Sequence, residues 1–252
     1  MSGHACQTAP SPAAVATSGA AGDLAVVVVA AGSGERFGRP GGKALVEVAG
    51  RPLVAWSLLA ADAAPSVAEL VLVCRPDDME AMERLVAGLP LALPVTVVAG
   101  GADRQASCAA GLGAVSPEMA FVAFHDGARP LVGPHAFEAV AARLRADSFL
   151  GGAVVGHRCT DTVKVVADGV VVSTPDRESL WVVQTPQAFP RDVIARAHGR
   201  AGSAATDDAA LVEALGLPVA VVDAQHNNLK LTYPEDLAVI EAALAAADRE
   251  GE

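Results

Sequence analysis

The run Leu24-Ala25-Val26-Val27-Val28-Val29-Ala30-Ala31-Gly32-Ser33-Gly34-Glu35-Arg36, followed by Lys43, constrains this chain more than any other stretch. An unbroken β-branched run suits a strand buried on both faces, as in a parallel sheet. It stops in a glycine-rich loop, where Gly32 and Gly34 let the backbone turn sharply and bring its N–H groups close to a ligand. Arg36 and Lys43 place positive charge over that ligand, most simply a polyphosphate. The loop lacks the Gly-Lys-Ser/Thr ending of a P-loop. Gly32, Gly34 and Gly38 are spaced G-x-G-x-x-x-G, one residue off the dinucleotide fingerprint. Neither familiar nucleotide motif is met, and a plain structural turn is the alternative that other residues must displace.

With 252 residues the chain is long enough for one large α/β domain with ample apolar material for a core. Its net charge of −11 argues against a nucleic-acid surface, while small anions stay within reach of locally concentrated Arg and Lys. Cys6, Cys74, Cys108 and Cys159 are scattered with no C-x-x-C pair, so neither a zinc site nor a disulfide framework is expected. Cys74 and Cys108 sit among apolar residues and read as buried thiols. No apolar run reaches the roughly 18 residues of a membrane-spanning helix, so no membrane partner is expected and the expected compartment is the cytoplasm. Residues 1–23, rich in Ala, Ser, Pro and Thr, lack the basic start and compact apolar centre of a signal peptide and read as a disordered tail.

Beyond the tail, strand and helix patterns alternate. Strands are expected at 24–30, 67–74, 95–99 and 119–124, and helices from near Pro52 and at 76–87, 104–115 and 134–146. Such alternation predicts a mainly parallel sheet with helices on both faces. The rhythm breaks between Gly151 and Phe189. A strand at 152–156 precedes Val163–Val166 and Val170–Val172, which flank Ala167-Asp168-Gly169, a hairpin signal. A hairpin interrupting an α/β repeat reads as an arm, here at about 156–182, that leaves the body and meets a partner. Thr206 is expected to cap a short helix stopped by Gly216, a late strand follows at 217–222, and a final amphipathic helix spans 234–247. The expected organisation is one domain over 24–248 with this arm.

In a parallel sheet, ligands bind beyond the carboxyl ends of the strands. The loops expected there are Gly32 to Lys43, Gly100 to Ser107 and His125 to Pro130, joined by Asn227-Asn228-Leu229-Lys230. Arg36, Lys43, Arg129, Lys230 and the carboxylate Asp126 would then surround two glycine-rich turns. Nucleotidyl transfer needs such a set: fixed cations stabilise charge on the equatorial oxygens, and a carboxylate holds Mg²⁺ on the triphosphate. Each residue also has a plain reading. Asp126-Gly127 suits a turn, Arg129 a surface ion pair, Lys230 a solvated lysine, and His125 a structural hydrogen-bonding residue.

Together with Ala30-Ala31-Gly32-Ser33-Gly34-Glu35-Arg36 and Lys43, further motifs run in order along the chain. They are Gly100-Gly101 with Arg104 and Ser107, His125-Asp126-Gly127-Ala128-Arg129-Pro130, Asp161-Thr162-Val163-Lys164, Asp176-Arg177 with Leu180-Trp181, Gln184-Thr185-Pro186-Gln187, Thr206-Asp207-Asp208 and Asn228-Leu229-Lys230-Leu231-Thr232. On these motifs the chain, from about Leu24 to Leu244, resembles the cytidylyltransferases that act on 2-C-methyl-D-erythritol 4-phosphate. The resemblance implies a Rossmann-like nucleotidyltransferase fold, CTP and the methylerythritol phosphate as substrates, and Mg²⁺ or another divalent cation as cofactor. It also implies a homodimer formed through the β-arm. By the same match, Arg36 and Lys43 stabilise the transition state with Lys230 assisting. Ala30, Ala31, Gly32, Ser33, Gly34, Gly101, Ala102, Ser107 and Asp126 join them around CTP. Asp126 is the metal ligand. Asp126, Arg129, Thr162, Arg177, Thr185, Thr206 and Lys230 hold the second substrate, with Thr162 and Arg177 reaching a neighbouring subunit. The chain departs from the family pattern at Val29 and Gly42, where proline is usual, at Ala102, where a carboxylate is common, and at Asn227, where Asp is frequent. The alternatives are a ribitol 5-phosphate cytidylyltransferase and a catalytically silent nucleotide-binding regulator. A dinucleotide dehydrogenase would require an acidic ribose ligand about 20 residues past the glycines, and the region around Arg51–Ser57 has none.

Overall fold

The computed structural model describes residues 22–38, 42–200, 205–223 and 227–250. The expected tail therefore lies, but for its last two residues, outside the described residues. The valine run forms β1 (Leu24–Val29), and its first five residues are fully buried. It occupies an interior position in a seven-stranded sheet with order β11-β7-β10-β6-β1-β4-β5. The other strands are β4 (Val67–Cys74), β5 (Val95–Ala99), β6 (Phe121–Asp126), β7 (Gly152–Arg158), β10 (Trp181–Pro190) and β11 (Val219–Asp223). β1 pairs in parallel with β4 and β6, β4 with β5, and β7 with β11. Only strands covered on both faces can be this continuously apolar, and helices supply the cover.

On one face α1 (Leu53–Asp62), α2 (Met79–Gly88) and α4 (Pro134–Ala146) bury Val54, Leu58, Met82 and Phe137 against the sheet. On the other, α3 (Arg104–Ala114), α5 (Arg191–Arg200) and α6 (Asp208–Glu213) contribute Cys108, Leu112, Ile194 and Val212. The last helix, α7 (Asp236–Glu250), packs Ile240 and Leu244 on Val48, Leu53 and Leu231 in a third cluster. The fold is a Rossmann-like α/β domain, with the mainly parallel sheet that the alternation predicted and the type that the family resemblance implied.

Three features differ from the sequence expectation. β10 gives no strand signal because Pro186 and two glutamines interrupt it, yet it runs antiparallel to both β6 and β7. Its register shifts between Val183 and Gln187, which is where a proline is tolerated in a sheet. A small hairpin, β2 (Glu47–Val48) with β3 (Arg51–Pro52), turns on Ala49 (φ 48°) and Gly50 (φ 77°). The cap of α6 is Asp207, whose carboxylate accepts from Ala210 N–H at 3.0 Å, and not Thr206. An ionised oxygen one residue nearer the helix is the stronger acceptor for its free N–H groups.

The expected hairpin is present as β8 (Val165–Ala167) and β9 (Val170–Ser173), a separate two-stranded sheet. Asp168 (φ 51°) and Gly169 (φ 77°) form its turn, the positive-φ pair that a right-twisted hairpin needs. Every residue of both strands is exposed, so this element projects from the body.

Candidate active site

The parallel registers fix where the site lies. Val29 stands opposite Val73 of β4 and Asp126 of β6, and Cys74 opposite Ala99 of β5. The segments leaving these strands must therefore converge at one edge. From β1 the chain steps outward through β4 and β5, then returns to the other side of β1 at β6, and a crevice opens where this order reverses. A cleft of about 730 Å³ occupies it.

The glycine loop forms one wall. A short 3₁₀ turn at Glu35–Phe37 follows Gly34 (φ 72°), and the chain comes back at Gly42 (φ 79°). A Cβ on Gly42 would lie 3.1 Å from the Gly32 carbonyl oxygen, and one on Gly34 would lie 3.1 Å from Gly42 Cα. Only glycine suits both positions, since each combines left-handed backbone with a close approach. The crossing carries Lys43 back to the loop that holds Arg36. Its ammonium donates to the Leu231 carbonyl. Burial, then the neighbouring Lys230 and Arg36, pulls the Lys43 pKa down to about 8.

Asp126 ends β6 and faces the cleft. Its Oδ2 is 2.6 Å from Lys230 Nζ and 3.8 Å from Arg129 Nε, and its Oδ1 is 3.5 Å from Arg104 Nε. Burial opposes the charge, but Lys230, Arg104 and Arg129 outweigh it and hold the carboxyl well below the usual carboxylate range. Behind it, Asp126 N–H donates to Thr185 Oγ1 at 3.0 Å. His125 is fully buried, with its ring nitrogens 3.2 Å from Ser57 Oγ and 3.1 Å from Thr185 Oγ1. Burial brings its pKa down to about 4, so it is neutral at pH 7, in keeping with the structural hydrogen-bonding role expected of it.

Every residue expected around CTP borders this cleft, from Ala30 to Gly34 through Arg36 and Lys43 to Gly101, Ala102, Ser107, Asp126 and Lys230. Ser107 Oγ accepts from Gly101 N–H at 3.1 Å and donates to Asp103 O at 2.8 Å, which ties the Gly100-Gly101 turn to α3. Arg129 and Thr185 stand just behind: Arg129 Nη1 donates to Asn228 O at 2.7 Å, and Thr185 is buried. Thr206 is exposed beside the α6 cap. Thr162 and Arg177 are exposed at the base of the arm, away from the cleft walls, and Arg177 Nη1 donates to Thr160 O at 3.2 Å.

Sequence reasoning gave Arg75 and Arg104 no role, although both line the cleft. Arg104 carried a readable signal. A cation in the first turn of a helix faces the positive end of the dipole, so it needs an anionic partner. Arg75 follows β4 without a comparable mark. In all, Arg36, Lys43, Arg75, Arg104 and Lys230 face Glu35, Asp103 and Asp126, a local positive excess in a chain of net charge −11.

A sequence profile of the 2-C-methyl-D-erythritol 4-phosphate cytidylyltransferases matches residues 24–246. The chain belongs to that family. The 2-C-methyl-D-erythritol 4-phosphate cytidylyltransferase of a Synechococcus species is 42% identical over 224 residues, which is 87% of this chain and 95% of the relative. The Nostoc protein of the same name is 40% identical over 227 residues, covering 88% and 98%. Among solved structures, the Thermus thermophilus 2-C-methyl-D-erythritol 4-phosphate cytidylyltransferase superposes with a TM-score of 0.69 at 34% identity, covering 87% of this chain and 98% of that one. The 4-diphosphocytidyl-2C-methyl-D-erythritol synthase of Anaerococcus prevotii gives a TM-score of 0.78 at 28% identity, covering 90% and 100%. Membership of this cytidylyltransferase family matches a cleft that pairs a glycine loop with fixed cations.

Proposed function

We propose that this protein transfers CMP from CTP to 2-C-methyl-D-erythritol 4-phosphate, giving 4-diphosphocytidyl-2-C-methyl-D-erythritol and pyrophosphate in isoprenoid precursor synthesis. The observation that carries this reading is the gathering of Arg36, Lys43 and Lys230 around Asp126 at the carboxyl edge of the sheet, in a chain of this family. A phosphate oxygen of the acceptor attacks the α-phosphorus. A new P–O bond forms as the bond to the β-phosphate oxygen breaks, and pyrophosphate leaves with the electron pair. No side-chain nucleophile is required, because the attacking phosphate is already ionised. Arg36 and Lys43 stabilise charge on the transferring phosphoryl group, and Lys230 steadies the acceptor phosphate and the α-phosphate. The backbone of Ala30 to Gly34, with Gly101, Ala102 and Ser107, frames the nucleoside. Arg129, Thr185 and Thr206 complete the acceptor side.

The donor set bears on the metal. Among the described residues no group of three or more His, Cys, Asp or Glu side chains is placed to hold a metal ion. One carboxylate facing a polyphosphate cleft is the usual protein share of a Mg²⁺ site, where substrate oxygens and water supply the rest. Asp126 fits that share, as a carboxylate at the cleft wall that Lys230, Arg104 and Arg129 keep ionised. The ion would neutralise triphosphate charge and orient the leaving group.

The active form we propose is a homodimer joined through the arm, in which Thr162 and Arg177 serve the partner's acceptor site. Val170, Val172 and Val166 on the hairpin are 67%, 63% and 53% exposed, and a two-stranded hairpin is marginal in water without a surface to cover it. The proposed domain spans 24–248, with the arm at about 156–182. The cytoplasm is the proposed compartment, in keeping with free thiols at Cys74, Cys108 and Cys159. No helix among the described residues is long and apolar enough to cross a membrane.

The deciding experiment is a pyrophosphate-release assay with CTP and Mg²⁺, offering methylerythritol phosphate and ribitol 5-phosphate in parallel. Turnover is expected with the first acceptor. No turnover, or turnover with ribitol phosphate alone, overturns the reading.

A further inference from the structure

Behind the cleft lies a buried charge system that the reaction as described does not use. Asp208 opens α6 with its side chain only 1% exposed. Its Oδ2 is 2.7 Å from Arg104 Nη1 and 3.7 Å from Cys108 Sγ, and its Oδ1 is 3.2 Å from His198 Nε2. The helix start that carries it is tethered to β10. Gln187 Nε2 donates to Asp207 Oδ2 at 2.9 Å, and Gln187 Oε1 accepts from Ala209 N–H at 3.2 Å. The Arg104 guanidinium therefore bridges two carboxylates, with its Nη1 edge on the fixed Asp208 and its Nε 3.5 Å from Asp126 Oδ1.

A carboxylate this deeply buried is tolerable only with a charged, hydrogen-bonded partner. Structure alone would be satisfied by a partner turned inward. Arg104 instead lies at the cleft wall, and its second contact is Asp126, the cleft carboxylate that ends β6. Three cations crowd Asp126, and an untethered arginine would compete with Lys230 for it or be drawn off it by incoming phosphate. Because Asp208 holds Arg104 through a hydrogen bond, the guanidinium acts on Asp126 as a fixed positive charge rather than a mobile counterion. A planar fork can hold two acceptors in set directions, and an ammonium cannot.

We propose that Asp208, acting through Arg104, is a positioning residue that fixes the Asp126 carboxylate for nucleotidyl transfer. This rests on the cytidylyltransferase reading of the cleft and deepens it. Of the Thr206-Asp207-Asp208 motif, Asp208 is then the member that acts through Arg104.

The test is a double-mutant cycle on kcat in the pyrophosphate assay, normalised to folded protein. In the otherwise unchanged enzyme Asp208→Asn should lower kcat roughly ten-fold, within the range for residues that share one network. In an Asp126→Asn background the same change should cost less than about two-fold, because the group it positions is gone. Arg104→Lys should behave like Asp208→Asn, which separates a bridging role from mere charge, and its site at the cleft wall keeps the cycle available if Asp208→Asn does not fold. Equal losses in both backgrounds, full activity of Asp208→Asn, or rescue by lysine at Arg104 would each overturn the proposal. Should the unaltered protein release no pyrophosphate, the proposed function fails on its own. The same four-protein cycle read on CTP affinity by calorimetry then decides the bridge, by the same non-additivity.

Discussion

Lys43 donates its ammonium proton to the backbone carbonyl of Leu231, the residue that follows Lys230. The loop after the first strand and the segment before the last helix are thereby fastened to each other across the cleft. Two of the proposed catalytic cations owe their relative position to this contact, although 187 residues separate them in sequence. Leu231 is itself fully buried beside Val46, Leu53 and Ile240, which gives the contact a rigid floor.

Replacing Lys43 with alanine removes both the fastening and a cleft charge that the proposed mechanism sets over the transferring group. The expected result is a fall in kcat of roughly 10²-fold or more, as for other fixed electrostatic stabilisers. Steady-state kinetics with CTP and the acceptor check it, and near-normal turnover would take Lys43 out of the mechanism.

The Lys43 pKa of about 8 gives a second handle on the same residue. Triphosphate binding favours the charged ammonium, so the bound pKa lies above the free one and binding takes up a proton. Affinity for CTP should be full below pH 8 and decline as pH rises through it. A pH series of kcat/KM for CTP measures the limb, and Lys43→Arg should flatten it, because guanidinium stays charged throughout.

Gly42 stands where the family resemblance leads to an expectation of proline, yet its φ of 79° is closed to proline and strained for any side chain. Restoring the family residue here should not help this enzyme. Gly42→Pro should destabilise the loop and raise KM for CTP, while Gly42→Ala should cost about 1 kcal/mol through the left-handed backbone. Thermal unfolding and CTP titration of both variants report the result, and a gain in either property would contradict the placement of this loop.

His125 predicts how acid weakens the fold. Its folded pKa of about 4 lies below the ordinary 6.5, so below pH 6.5 the unfolded chain binds a proton that the native ring refuses. Stability from this site is full at pH 7 and is lost as pH falls through 6.5 toward 4, about 2 kcal/mol by pH 4.5. Asp126, whose carboxyl is depressed instead, gives stability that is full above the ordinary 3.8 and is lost only as pH falls below it, so the two windows separate. Urea unfolding at pH 7 and 4.5 should show the His125 loss, and His125→Asn should shrink the difference between the two pH values.

The arm offers a complementation test. Arg177→Ala and Lys43→Ala subunits should each be inactive alone, and co-assembled heterodimers should regain part of the activity, because one of their two sites then has both groups. Verified mixed dimers without recovery would count against a site shared across subunits. In a companion experiment, Val166→Asp with Val171→Asp should shift the mass measured by light scattering from dimer to monomer.

Much of the fold was legible because it is written in local pattern. The valine run of β1, the helix patterns of α3 and α4, and the Asp168-Gly169 turn of the hairpin each follow from periodicity or from one backbone preference. The cleft walls were legible for a related reason, since parallel strands must deliver their following loops to one edge. β10 was not, because its partners β6 and β7 are distant in sequence and its prolines erase the strand pattern.

What the sequence by itself determined, then, is the inventory: a buried parallel sheet, a glycine loop with two cations, an acidic turn after β6, and a hairpin set apart from the repeat. The tertiary structure alone decided the electrostatics among them. Asp126 is held below the usual carboxylate range by Lys230, Arg104 and Arg129, and Arg104 is in turn held by Asp208. These couplings depend on distances of a few ångströms, and two of them, Asp126 with Lys230 and Arg104 with Asp208, join residues 104 positions apart. Coulomb energy varies with separation and with the surrounding dielectric, and neither is a property of local sequence.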